Sequence, residues 1–164
     1  MSTRVATPDD LDAIAEIYAH YVAASVATFE LDPPGATEWR RRFAVIADAG
    51  LPFLVAERGG AIAGYAYCAP WKTRPAYRAT VEDSVYVAPS AVGQGCGTEL
   101  LRELLDACGA AAIREVIAVI ADTGDPASVE LHRRFGFVDA GRLTSVGYKH
   151  DRFVDTLLLQ RSLA

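Results

Sequence analysis

Three glycines within five residues, Gly93, Gly95 and Gly97, separate two segments of opposite periodicity. Before them, Ser84-Val85-Tyr86-Val87-Ala88 alternates β-branched and aromatic residues and stops at Pro89, the pattern of a strand. After them, Leu100, Leu101, Leu104 and Leu105 recur at helical spacing, which predicts a helix packed on a core. A strand, a glycine-rich turn and a helix start expose free backbone N–H groups and the positive end of a helix dipole. Such a turn is an anion site, and a phosphorylated ligand is expected there. A dinucleotide fingerprint fails, because Thr98 or Leu100 stands where its third glycine must be. A P-loop fails as well, since no lysine follows Gly97.

The rest of the chain supplies the partners of this unit. Val5 and its neighbours predict a first strand, and Thr7 is expected to cap a helix that begins at Pro8. Leu11, Ile14, Ile17, Tyr18, Tyr21 and Val22 mark that helix's apolar face. Thr28 to Leu31 reads as extended before Pro33-Pro34-Gly35. A second helix starts near Thr37 and buries Trp39, Phe43 and Ile46, with Arg40, Arg41 and Arg42 toward solvent. Phe53–Glu57 and Ile62–Ala69 flank Arg58-Gly59-Gly60 as a hairpin. Val116 to Ala121 is short and wholly apolar, which predicts a strand buried on both faces. Ala127 to Phe135 reads as a helix closed by Gly136, and Val138–Gly147 and Thr156–Gln160 as closing strands. This order makes an α/β or α+β domain, residues 1–164, around one central sheet.

Charge narrows the partners. At 164 residues and a net charge of −5, the chain lacks the basic balance that nucleic acid demands. No apolar run reaches the roughly 18 residues of a membrane span, so neither membrane nor nucleic acid is an expected partner and a cytoplasmic location is. Cys68, Cys96 and Cys108 form no CxxC pair, so no metal site or disulfide framework is indicated.

The glycine turn resembles the acetyl-CoA pyrophosphate loop, Q/R-x-x-G-x-G/A, of the GCN5-related N-acetyltransferases (GNAT), with Gly95 and Gly97 on its glycine positions and Val92 in place of the leading Gln or Arg. The likeness extends through Gly64-Tyr65-Ala66-Tyr67, Pro70-Trp71-Lys72-Thr73-Arg74-Pro75-Ala76-Tyr77, Thr80 to Val87, Ser128 to His132, Phe135-Gly136-Phe137 and Val146 to His150. These segments are similar to the phosphinothricin and methionine sulfoximine acetyltransferase branch.

The resemblance implies a mixed sheet of about six to seven strands with a splayed central pair and about four helices. It implies that backbone groups of Val85, Tyr86 and Val87 hold the pantetheine arm, and that Gly93, Gln94, Gly95, Cys96, Gly97 and Thr98 hold the pyrophosphate. Ser128 and Asp125 would stand beside the cofactor, Asp125 at a position where the family has Asn. An ionised carboxylate there can only accept hydrogen bonds.

Acetyl transfer to an amine needs a proton acceptor, a polarised thioester carbonyl and a proton for the thiolate. Glu82, just upstream of Val85, is the candidate base, provided that burial lifts it from about 4.3; the alternative is a structural ion pair with Arg74 or Arg78. His132 occupies the position where many members carry a proton-donating Tyr, and it is equally readable as a structural histidine. Asp83 should point away from Glu82, which argues against a paired-carboxylate site. Cys96 reads as a small core filler rather than a nucleophile.

For the acceptor, Lys72, Arg74 and Tyr77 form a cationic loop in which arginine suits a carboxylate or phosphinate. Phe29 and Lys149 also match the branch, Phe29 as a pocket wall. The reading is direct acetyl transfer to the α-amine of a small amino-acid-like acid, with no metal and a homodimeric enzyme. The alternatives are an acetyltransferase for a polyamine, an aminoglycoside or a protein N-terminus, and a non-catalytic CoA-binding module.

Overall fold

The computed structural model describes residues 1–164. Seven strands form one mixed sheet in the order β1-β2-β3-β4-β5-β7-β6. They are β1 (Ser2–Val5), β2 (Phe53–Arg58), β3 (Ala61–Pro70), β4 (Thr80–Val87), β5 (Glu115–Ala121), β6 (Val138–Lys149) and β7 (Arg152–Ser162). Four helices accompany them: α1 (Leu11–Ala24), α2 (Ala36–Asp48), α3 (Cys96–Ala110) and α4 (Ala127–Arg134).

Alternation along β2, β3 and β4 sorts the core into two layers. On one face Phe53, Tyr65, Tyr67 and Tyr86 stack, and Trp39 of α2 and Tyr18 of α1 meet them edge-on at 6.0 and 5.2 Å. Each such aromatic pair contributes about 0.5–1.5 kcal/mol beyond its buried area. On the other face Leu100, Leu101 and Leu104 of α3 are fully buried, and Cys108 meets Cys68 of β3 with sulfurs 3.2 Å apart.

Four local expectations change. Thr7 stands at the N-cap with Pro8 after it, as expected, but the first turn is 3₁₀ rather than α; there Asp10 accepts from the Thr7 N–H at 2.8 Å and from two Arg4 nitrogens, each at 2.8 Å. Thr28 to Leu31 is not a strand but an irregular segment. Arg42 does not face solvent: it pairs with Glu30 at 2.6 Å and lies over the Trp39 ring. β5 is not buried on both faces: Val116 and Ala118 on one face are covered, whereas on the other face Ile117 is only partly buried and Val119 is 38% exposed.

Candidate active site

The exposure of Val119 follows from a break in the sheet. β4 and β5 are parallel neighbours, yet only Thr80, Val81 and Glu82 pair with Glu115, Val116 and Ile117. Beyond Glu82 the strands part. The opening leads into a cleft of about 930 Å³ that runs from Phe29 and Glu82 past Val85 to the glycine turn.

Backbone accounting identifies what the gap exposes. The Ala88 N–H donates to the Ala63 carbonyl, and Tyr86, Ser84 and Glu82 follow in the same register opposite Tyr65, Tyr67 and Ala69. In an antiparallel ladder, alternate residues turn their N–H and C=O the other way. Val85 and Val87 therefore face the gap, while Tyr86 spends its main chain on β3 and offers only its ring. The Val87 carbonyl already accepts the Tyr21 hydroxyl. Of the three expected residues, Val85 presents both its backbone groups to the gap and Val87 its N–H.

At the other end, Gly93 and Gly95 adopt positive φ of 76° and 84°, and Gly95 caps α3. The first N–H groups of α3 have no intrahelical acceptor and line the cleft through Gly97 and Thr98. At Gly97 a Cβ would stand 3.3 Å from Leu131, so α4 lies close over this turn. Two residues of the loop have other tasks. The Gln94 side chain donates to the Ser90 carbonyl at 2.9 Å, outside the cleft lining. The Cys96 sulfur is buried 3.5 Å from the Ala63 carbonyl, and burial raises its pKa, so the side chain is the core filler expected.

The two candidate proton carriers lie on opposite faces of β4. Glu82 is half-buried, lines the cleft and has no hydrogen bond or ion pair, so the structural pair with Arg74 or Arg78 does not form. Burial and then the neighbouring Asp83 charge raise its pKa, with Lys72 holding it back. His132 is buried, its Nε2 2.9 Å from Asp83 and its Nδ1 2.7 Å from the Ser128 carbonyl. Burial alone would lower its pKa, yet the Asp83 hydrogen bond and charge and the Ser128 carbonyl raise it overall. With a carbonyl at one nitrogen and a carboxylate at the other, both contacts favour the protonated ring. Of the two roles the sequence left open for His132, these contacts support the structural one, and the ring also lines the cleft.

The acceptor-side residues divide. Phe29 lines the cleft. Lys149 does not: it is 3% exposed and its Nζ donates to the Thr28 carbonyl at 2.8 Å. Lys72, over the Trp71 ring at 4.7 Å, and the exposed Arg74 and Tyr77 lie outside the cleft lining. Asp125 does line it, but its carboxylate accepts from the Ala127 N–H at 3.0 Å at the start of α4.

Three participants had no sequence signal: Asp83 as the partner of His132, Tyr21 on Val87, and Arg134. Arg134 is the sole lysine or arginine lining the cleft, and neither a hydrogen bond nor an ion pair engages it. It lies one helical turn from Leu131, and so near the glycine turn.

Residues 14–137 match the Acetyltransferase (GNAT) family. Among curated proteins, the chain is 52% identical over 162 residues to a phosphinothricin N-acetyltransferase of Alcaligenes faecalis, covering 99% of this chain and 82% of that one. It is 35% identical to an L-methionine sulfoximine/L-methionine sulfone acetyltransferase of Pseudomonas aeruginosa, over 99% and 94% of the two chains. The fold superposes with a TM-score of 0.96 on a crystal structure of a phosphinothricin acetyltransferase from Sinorhizobium meliloti in complex with acetyl-CoA, at 43% identity over 99% and 88% of the chains. Sheet, gap, glycine turn and these matches agree: the chain belongs to the GNAT family of acetyl-CoA-dependent acetyltransferases.

Proposed function

We propose that the protein transfers acetyl from acetyl-CoA to the α-amine of a small amino-acid-like acid of the phosphinothricin or methionine sulfoximine type. The observation that carries this reading is Glu82, a half-buried carboxylate without a partner at the inner end of a through-sheet cleft. The relatives that act on such acids support the acceptor class.

The residues divide the work by position. Acetyl-CoA supplies an activated thioester. The free N–H groups at the start of α3 bind its pyrophosphate, with Arg134 as the cation that Val92 does not provide. The Val85 N–H lies where a donor would polarise the thioester carbonyl. Glu82 accepts a proton from the acceptor ammonium, freeing the nitrogen lone pair. A C–N bond then forms as the C–S bond breaks; the nitrogen sheds its second proton as it becomes the amide, that proton passes through solvent to the departing thiolate, and Glu82 returns its own proton to solvent. His132, held between Asp83 and Ser128, keeps α4 on β4 and is a positioning residue.

Lys72, Arg74 and Tyr77 enter the acceptor site only if the 70–78 loop closes or a second subunit completes the pocket. We extend the reading to a homodimer, supported by exposed Val138, Val146, Tyr148 and Phe153 on β6 and β7; light scattering at the monomer mass removes that part.

The first experiment follows thiol release from acetyl-CoA with phosphinothricin, methionine sulfoximine, ordinary amino acids, spermidine and an aminoglycoside. Fast release with the first two is expected. Release confined to the polycations overturns the acceptor class, and cofactor binding without any release returns the chain to a CoA-binding module.

A further inference from the structure

Lys149 is a buried cation whose ammonium donates to a backbone carbonyl in a segment far away in sequence. That carbonyl belongs to Thr28, beside Phe29. Two residues before Lys149, on the same face of β6, Gly147 takes the Phe29 ring so closely that a Cβ would overlap three of its carbons. The segment is fixed from its other side too. The Thr28 hydroxyl meets the Tyr18 hydroxyl at 2.6 Å, and Glu30 accepts from Tyr18 at 2.8 Å and Arg42 at 2.6 Å. Thr28 and Phe29 both line the cleft. An irregular segment with no strand hydrogen bonds is thus clamped between α1 and α2 on one side and β6 on the other.

We propose that Gly147 and Lys149 are specificity-determining positioning residues that hold Phe29 as the fixed wall of the acceptor end, Lys149 through the Thr28 carbonyl and Gly147 by leaving room for the ring. This rests on the acetyl-transfer reading and assigns the Lys149 ammonium to the protein's own backbone rather than to the substrate. Buried, Lys149 has no route to an acceptor carboxylate; released, the segment that carries Phe29 loses its hold on β6.

The test is a steady-state comparison of Gly147→Ala, Lys149→Met and Phe29→Ala, alone and combined. Gly147→Ala and Lys149→Met should each raise the acceptor KM about tenfold, the scale of a reshaped apolar pocket, with the acetyl-CoA KM within about twofold. In the Phe29→Ala background each should add less than about twofold, because both act through that ring. Full effects persisting in that background overturn the proposal, and for Lys149→Met they return the ammonium to the substrate. An acetyl-CoA KM that rises in step also overturns it.

A crystal structure of Gly147→Ala gives a readout independent of turnover. A Phe29 ring lifted off β6 supports the latch and an unmoved ring defeats it. Absence of wild-type turnover on every amine instead defeats the acetyl-transfer reading, and the ring position still decides the latch.

Discussion

Glu82 and Asp83 are adjacent carboxylates with opposite fates. Asp83 points to the α3/α4 face, is buried and is paired with His132. Glu82 points to the α1/α2 face, where no cation pairs with it, and lies unpaired in the cleft. A satisfied carboxylate holds structure, whereas an unsatisfied one in a partly dry cleft is poised to take a proton. One residue of strand alternation separates the two roles.

The largest effect should come from the unpaired member. Glu82→Gln is expected to lower kcat about a hundred- to ten-thousandfold, the usual contribution of a positioned base, with acetyl-CoA binding by calorimetry unchanged. Wild-type kcat in this variant would erase the contrast. The wild-type acid limb of kcat should lie above the ordinary carboxylate value of about 4.3, because Glu82 is raised, and rates should climb with pH through it.

Asp83→Ala should instead act on stability. Removing one partner of a buried ion pair costs about 3–5 kcal/mol, read as a lower urea midpoint, while the acceptor KM of the folded fraction stays near wild type. Loss of turnover without loss of stability would move Asp83 into the chemistry. A subtler test uses pH. His132 has a folded pKa above its unfolded value of about 6.5. Its stabilisation is complete below that value and is lost as pH rises through the higher folded one. The wild-type urea midpoint should therefore fall from neutral to alkaline pH, and Asp83→Asn should flatten the slope. An unchanged slope would mean that His132 is not the group titrating.

The smallest effect is at the far end of the cleft. Arg134→Ala should raise the acetyl-CoA KM about two- to fivefold, in keeping with an exposed ion pair, and more at low than at high salt. Val92→Arg in the same background should restore it. Salt-independent kinetics would remove Arg134 from phosphate binding.

Much of this was legible in the chain. The Gly93–Gly97 spacing, the leucines of α3 and the alternation of β4 are local signals, and each corresponds to an observed element. Glu82 as the candidate base and Cys96 as a core filler came with the family resemblance, and Glu82 does line the cleft while the Cys96 sulfur is buried. What failed was long-range. Val116 to Ala121 is apolar throughout, yet Val119 is exposed because β4 leaves β5, and no periodicity within β5 encodes where its neighbour goes. Lys149 matched a substrate residue in kind but spends its charge on Thr28, 121 positions away. For His132 the chain left a structural and a proton-transfer role open, and the partner that bears on the choice, Asp83, lies 49 positions earlier.

The sequence by itself determined the strand–turn–helix anion site, the order of elements and the parity that sends Glu82 and Asp83 to opposite faces, because these depend on backbone torsions and side-chain periods within a few residues. Only the tertiary structure decided which carboxylate remains free, which cation faces the phosphate end and what holds Phe29. Those outcomes depend on partners brought together by the sheet, and burial makes pairing decisive, since a charge withdrawn from water is stable only beside a group that completes it.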